Sequence, residues 1–191
     1  FARPRAHGTF VDCYRRSEKA PTGSSGEGWR WGVVAAADTR GARAVSCRAG
    51  AGTYLSDSQA KAAAAGAAQD ARVYDSAQYL ADNMEQAPVL VIPCIMVDHL
   101  PPDPPRRVWP GLMGSIMPAV WSFQLALRSR GLGSALTTIH LQKEAEAAAL
   151  LGIPEGVMQT ALLPVAYTKG ADFKPAKRPP VEEIVHWNTW E

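Results

Sequence analysis

The sequence reads as one mixed domain of helices and short strands, and three stretches carry that reading. Residues 87–96 (APVLVIPCIM) are a continuous apolar run, whose length and β-branching favour a strand buried on both faces over a piece of helix. Residues 114–130 (GSIMPAVWSFQLALRSR) carry apolar side chains almost all round a helix, which makes that helix central rather than superficial. Residues 29–34 (WRWGVV) are aromatic and β-branched, the composition of a strand. A length of 191 residues suits a single domain spanning 1–191, and a chain of this size buries a core without disulfides or a structural metal.

The remaining elements follow in order. Residues 11–19 offer a short helix with a thin apolar face. Residues 20–28 (APTGSSGEG) are a loop, with Pro21, three glycines and side chains that bond the local backbone. After the strand at 29–34, residues 57–69 are Ala-rich and helical by propensity. Residues 73–84 form a second helix with Tyr74, Ala77, Leu80 and Ala81 on one face. Pro93 inside the 87–96 strand predicts a bulge or a sheet edge near its end. Residues 99–107, with Pro101, Pro102, Pro104 and Pro105, are a loop. In the 114–130 helix Ser115 reads as the cap and Pro118 as a first-turn residue, where a missing N–H costs little. Its Trp121 reads as core. Arg128 and Arg130 complement the helix C-terminus, and Gly131-Leu132-Gly133 stops it. Then come a Thr-rich strand at 134–139, a helix at 142–151 ended by Gly152 and Pro154, and a last core strand at 158–168. The tail carries Lys174, Lys177, Arg178 and the cluster His186-Trp187-Asn188-Thr189-Trp190.

Composition narrows the function. Apolar residues are 47% and charged residues 20%, the balance of an ordinary globular protein. A net charge of +2 with both signs mixed along the chain argues against nucleic acid or an anionic membrane as the main partner. The longest apolar stretch, 87–97, contains Pro88 and Pro93 and is too short to span a bilayer. No signal peptide is visible, although the chain opens on Phe1 rather than Met. Cys13, Cys47 and Cys94 are widely spaced and form no CxxC; they read as apolar fillers in a reducing cytosol, hence a cytoplasmic protein. There is no GxSxG, HExxH or Walker A sequence, and His7, His99, His140 and His186 are scattered. Gly131-Leu132-Gly133 follows a helix and has Leu136 where a dinucleotide fingerprint needs its third glycine. With no nucleophile, base pair or metal cluster in view, an enzyme built on this chain would draw its chemistry from a cofactor.

Three blocks together resemble the nitroreductase family. The first, 20–29 (APTGSSGEGW), is similar to the family's A-P-[ST]-x-x-N-x-Q-x-W loop. The second, 115–138 (SIMPAVWSFQLALRSRGLGSALTT), is similar to the family's central helix and the Gly-Leu-Gly-[ST] turn after it. The third joins 151–157 (LGIPEGV), 163–167 (LPVAY) and Lys177-Arg178-Pro179-Pro180. The ending at 186–190 resembles actinobacterial members. Each block is weak alone; their order and spacing are specific, and the resemblance runs from about residue 20 to the end.

The resemblance implies an α+β fold, a mainly antiparallel central sheet surrounded by helices, in an interlocked homodimer that holds FMN at its interface. It implies that Pro21, Thr22, Gly23, Ser24, Ser25 and Glu27 lie along the flavin's ring edge and ribityl chain, with Ser25 and Glu27 standing where the family has Asn and Gln. Ser115 would face the isoalloxazine, and backbone N–H groups around Leu136, Thr137 and Thr138 would lie near its N5 and O4. Donors there stabilise charge on reduced flavin. Arg178, helped by Lys177, would bind the phosphate. The family's basic N-terminal phosphate segment is expected to be missing, since Arg3, Arg5, Arg15 and Arg16 do not occupy its positions. The activity implied is ping-pong hydride transfer from NAD(P)H through FMN to a nitroaromatic, quinone or similar small acceptor. The alternative is a non-catalytic member that binds or sequesters flavin, or carries none. An ionised carboxylate at Glu27 cannot donate as Gln does. It opposes anionic reduced flavin by about 1–4 kcal/mol at a few ångströms in a surface-like or watery dielectric. Glu27→Gln is therefore expected to raise the bound flavin's midpoint potential and speed its reduction; an unchanged potential removes Glu27 from the flavin's surroundings.

Overall fold

One strand, β2 (Val89–Met96), is the axis of the molecule, and every residue in it is buried except half-buried Met96. The computed structural model describes residues 6–23, 28–35, 52, 54–170, 172–173 and 175–190, without the side chains of residues 6 and 7. Among these, the elements are α1 (Ala6–Ser17), β1 (Trp29–Val34), α2 (Tyr54–Ala64), α3 (Ala68–Asn83), β2, α4 (Val108–Arg128), β3 (Leu132–Ser134), α5 (Glu144–Leu151), β4 (Val157–Gln159) and β5 (Leu163–Tyr167), with short 3-10 turns between them. The sheet is five-stranded in the order β1-β2-β5-β3, and β4 also pairs with β2. Every pairing is antiparallel, so the expected α+β architecture is present.

Alternation along β2 makes two cores. Val89, Val91 and Ile95 point to one face, where they meet Phe10 and Cys13 of α1 and Ile116, Ala119, Val120, Phe123, Ala126 and Leu127 of α4. Leu90, Ile92 and Cys94 point to the other, against Met84 and Leu80 from the α3 side and Leu151 of α5. A strand between two helical layers must be apolar at every position, which is why 87–96 lacks the polar alternation of a surface strand.

Pro93 lies at a break in one ladder rather than at an edge. β2 pairs with β5 at Val89–Val91 and with β4 at Cys94–Met96, and the register shifts by one residue between them. Ile92 and Pro93 thus face Thr160, Ala161 and Leu162, an extra residue on the partner side, which is a bulge. Thr160 donates both its N–H (2.9 Å) and its hydroxyl (2.8 Å) to the Pro93 carbonyl. The shift reverses side-chain parity, so even-numbered Met158 and odd-numbered Leu163 face the same core. The last apolar run is accordingly two strands, β4 and β5, not the single strand expected at 158–168.

The central helix differs from expectation at its start. It begins at Val108, because Pro110, not Pro118, takes the first-turn place where no N–H is required. Pro118 stands in the helix interior and removes the donor the Gly114 carbonyl would use. Ser115 is therefore a mid-helix residue and not a cap. One face of α4 is buried, while Trp121, expected in the core, is 62% exposed and Leu125 is 52% exposed.

Other boundaries moved for identifiable reasons. Gly66, at φ 67°, breaks the Ala-rich segment between α2 and α3, earlier than the 57–69 and 73–84 assignment placed it. β3 occupies Leu132–Ser134 directly after Gly131 at φ 75°, so the expected strand at 134–139 shrinks to a single bridge, Thr137 to Leu162. α5 ends at Gly152 (φ 62°), where the Gly152 and Ile153 N–H groups both reach the Ala148 carbonyl, the stop read from the sequence.

Gly156 anchors the turn before β4. Its φ is +81°, and a Cβ there would meet the Asp98 Cβ at 2.8 Å and Cα at 3.3 Å, while the Val97 N–H donates to its carbonyl at 2.7 Å. Gly152, at φ +62°, has open space around it. Gly156→Ala is expected to destabilise the protein by about 1–3 kcal/mol through strain plus the clash, and by more than Gly152→Ala in the same urea titration. Equal costs would show that the Asp98 approach is not rigid.

Candidate functional site

A polar residue in the middle of an apolar helix needs a reason, and Ser115 has one. Its Oγ accepts the indole N–H of Trp29 at 3.1 Å and the backbone N–H of Gly23 at 3.4 Å. Gly23 and Trp29 are the two ends of the loop that carries the first sequence block, so one hydroxyl on α4 pins both. Ser24, Ser25 and Glu27 lie between them, outside the described residues.

Trp29 is held firmly. It opens β1 opposite Ile95, is 8% exposed, and belongs to the core cluster under α4. The Met96 N–H donates to the carbonyl of the preceding Gly28 at 2.8 Å. On the other side of the junction, Pro21 and Gly23 are exposed and Thr22 is half-buried. The Thr22 Oγ1 is itself buried and has no hydrogen-bond partner among the described residues. Thr22 directly precedes Gly23, whose N–H the serine receives, so hydrogen-bonding capacity is left unspent in this stretch of the loop.

The remaining sequence-derived candidates fall elsewhere. Gln124 of α4 donates to the Ser134 Oγ at 3.0 Å, which ties the helix to the strand before the 136–138 segment. There Leu136 and Thr138 are exposed and Thr137 is half-buried. The Thr137 N–H donates to the Leu162 carbonyl at 3.0 Å, so it is not free for a ligand; those of Leu136 and Thr138 bond to no other described residue. Lys177 and Arg178 are exposed, and the Lys177 backbone is clasped by the Gln69 side chain at 3.2 and 3.4 Å. Among the described residues, no hydrogen bond joins 136–138 or Lys177 and Arg178 to the Ser115 junction.

Beside the junction, Trp31 packs between Tyr14 (centroids 5.7 Å apart) and Phe123 (5.1 Å). A groove of about 500 Å³ runs over these rings and Phe10. The three cysteines supply no nucleophile among the described residues: Cys13 and Cys94 are buried. Burial pushes the Cys13 thiol up, with the charge of Arg130 opposing in part. Cys47 lies outside the described residues. No described helix is long and apolar enough to cross a membrane.

Reading the sequence placed Ser115 and Gly23 in one site, and the structure brings them together. It gave Trp29 and Gln124 no role. A signal existed for Trp29, since a tryptophan buried at the head of a strand needs a partner for its N–H. The mate was invisible because it lies 86 residues away.

Comparisons with known proteins agree with this architecture. The chain is similar over 99% of its length to iodotyrosine deiodinase bound to FMN and 3-iodo-L-tyrosine, covering 91% of that chain at a TM-score of 0.70 and 20% identity. It is similar over 99% of its length to a BluB-like flavoprotein from Clostridium difficile 630, covering 92% of that chain (TM-score 0.68, 18% identity). It is similar over its full length to the FMN and NADPH-dependent nitroreductase NfnB from sphigopyxis sp. strain HMH, covering 93% of that chain (TM-score 0.64, 20% identity). At these identities the likeness shows the fold. No curated protein matches the chain by sequence. Residues 6–167, which carry the Ser115 junction, all five strands and both helical layers, match the nitroreductase family, and the chain belongs to that family.

Proposed function

We propose that this protein is an FMN-dependent NAD(P)H oxidoreductase that reduces a nitroaromatic, quinone or similar small acceptor in a ping-pong cycle. The observation that carries the reading is the Ser115 junction: the family's loop and central helix meet at one hydroxyl, and the buried Oγ1 of Thr22, the residue before Gly23 in that loop, is unsatisfied among the described residues. Two hydroxyls with hydrogen bonds to give suit the heteroatom-rich edge of a flavin ring, so the residues present fit the cofactor there. Bound FMN would supply the two-electron chemistry that the chain's own side chains lack. Pro21, Thr22, Gly23, Ser24, Ser25 and Glu27 would form its loop side and Ser115 its helix side. The Leu136 and Thr138 backbone N–H groups would provide fixed donors against developing negative charge. Lys177 and Arg178, exposed and uncommitted in their side chains, would take the phosphate. Support by analogy comes from the FMN-bound deiodinase and the FMN and NADPH-dependent nitroreductase.

A second reading, a member that binds or sequesters flavin without turnover, or carries none, draws on Ser25 and Glu27 in place of the family's Asn and Gln. Titration with FMN followed by NAD(P)H oxidation assays separates the two. Tight binding with turnover supports the enzyme, tight binding without turnover the sequestering protein, and no binding removes flavin from both. Arg178→Ala is expected to weaken FMN binding by about 1.5–3 kcal/mol, the scale of a charge-assisted bond. Unchanged affinity moves the phosphate site elsewhere.

We propose also that the working form is a homodimer with the FMN sites at its interface. Trp121 and Leu125 lie outward on α4, and Trp187 and Trp190 in the tail are 83% and 86% exposed; large aromatic side chains in such numbers call for a covering surface. Deleting residues 183–191 is expected to shift the protein toward monomer in sedimentation velocity at micromolar concentration. A well-folded monomer of the intact chain would refute the dimer itself.

A further inference from the structure

The hydrogen bonding around Ser115 is one-sided. A hydroxyl has two acceptor lone pairs and one proton. Here the Trp29 Nε1–H and the Gly23 N–H take the acceptor side, and no described residue receives the proton. Helical serines commonly return that proton to a carbonyl one turn back. Ser17 does so to the Tyr14 carbonyl at 2.6 Å and Ser129 to the Ala126 carbonyl at 2.9 Å. Ser115 does not, although it lies in the same helix type with the same option. Its rotor is turned by the donors that converge on it, and its proton is left without an acceptor among the described residues.

We propose that Trp29 is a positioning residue of the cofactor site: its indole N–H holds the Ser115 hydroxyl as an obligate donor, so that the site selects a ligand edge presenting a carbonyl oxygen or an unprotonated ring nitrogen. Trp29 suits this role because it cannot follow a moving partner. It is buried, packed in the core and fixed in the β1–β2 ladder. The backbone bond from Gly23 alone is longer and comes from an exposed loop residue. Without the indole, the hydroxyl regains a free lone pair and can turn to accept from a ring N–H as readily as it donates to a ring C=O. A flavin carries both kinds of group on one edge, so fixing the hydroxyl's polarity fixes which of them it meets. This inference rests on the reading that FMN binds beside Ser115.

Trp29→Phe keeps an aromatic ring in the core and removes the donor together with the five-membered ring, so its effect is read against the Ser115→Ala and double variants rather than alone. The test compares wild type, Trp29→Phe, Ser115→Ala and the double variant by FMN titration of the ligand-free protein and by the midpoint potential of the bound flavin. A nitrogen-15 spectrum of the tryptophan indoles of the ligand-free protein is recorded alongside. The expected result is a loss of affinity in Trp29→Phe of about 3–10-fold, the scale of one hydrogen bond, with a shifted potential. The double variant should be no weaker than Ser115→Ala alone, because both changes remove one coupled unit. Ser115→Ala, which leaves the aromatic core intact, should also move the Trp29 indole resonance in the absence of any ligand. The proposal is overturned by an unmoved indole resonance in Ser115→Ala, by wild-type affinity and potential in Trp29→Phe, or by additive losses in the double variant. If wild type takes up no FMN, this inference and the flavin reading fall together. If wild type binds FMN and Trp29→Phe matches it in affinity and potential, the inference alone falls.

Discussion

Burial of β2 on both faces is the constraint around which the rest of the molecule is arranged. A strand with Val89, Leu90, Val91, Ile92, Cys94 and Ile95 all out of water needs a helical layer on each side. Each large aliphatic side chain so buried contributes about 1.5–3 kcal/mol. One layer comes from α1 and α4, the other from the α3 side and α5. Neither layer alone would suffice, because removing either leaves half of the strand's side chains against solvent. The bulge opposite Pro93 serves the same end. By reversing parity between β4 and β5 it lets residues on both sides of the break, Met158 and Leu163, fill the α4 side of the sheet.

The site is a consequence of that layering. α4 is held on the sheet by Ile116, Ala119, Val120, Phe123, Ala126 and Leu127, a spacing of three and four that places the adjoining Ser115 at the rim of the buried face. β1 begins at Trp29, antiparallel to the end of β2, so the loop before β1 arrives beside the same part of α4. The polar junction thus joins two elements whose relative position is set by apolar packing, and the hydrogen bonds add direction to a contact already made. On the opposite face of α4, Trp121 and Leu125 point outward and stay exposed among the described residues.

Much of this was legible in the residues. The two-sided burial of 87–96, the strand at 29–34, the helix stop at Gly152 and the left-handed Gly131 all follow from local chemistry: β-branched runs, missing side chains, and backbone groups that need a partner within a few residues. Membership of the nitroreductase family was legible for a different reason, the order of three blocks along the chain. Errors fell where two local rules competed. Two prolines, Pro110 and Pro118, could each have opened α4, and proline chemistry alone does not say which stands in the first turn. The Thr-rich stretch after Gly133 has strand propensity, but regular pairing with β5 stops at Ser134 opposite Val165, leaving Thr137 a single bridge to Leu162.

The sequence by itself therefore determined which segments are apolar on one face, on two or on none, and where the chain turns. Tertiary structure decided the register shift at Pro93, the outward position of Trp121, and the meeting of Ser115 with Gly23 and Trp29 across 92 and 86 residues of chain. Those outcomes rest on which face of one element lands against another. That is a property of the whole packed sheet, since a side chain's neighbours within a turn or a pleat constrain its conformation but not the distant partner it will meet.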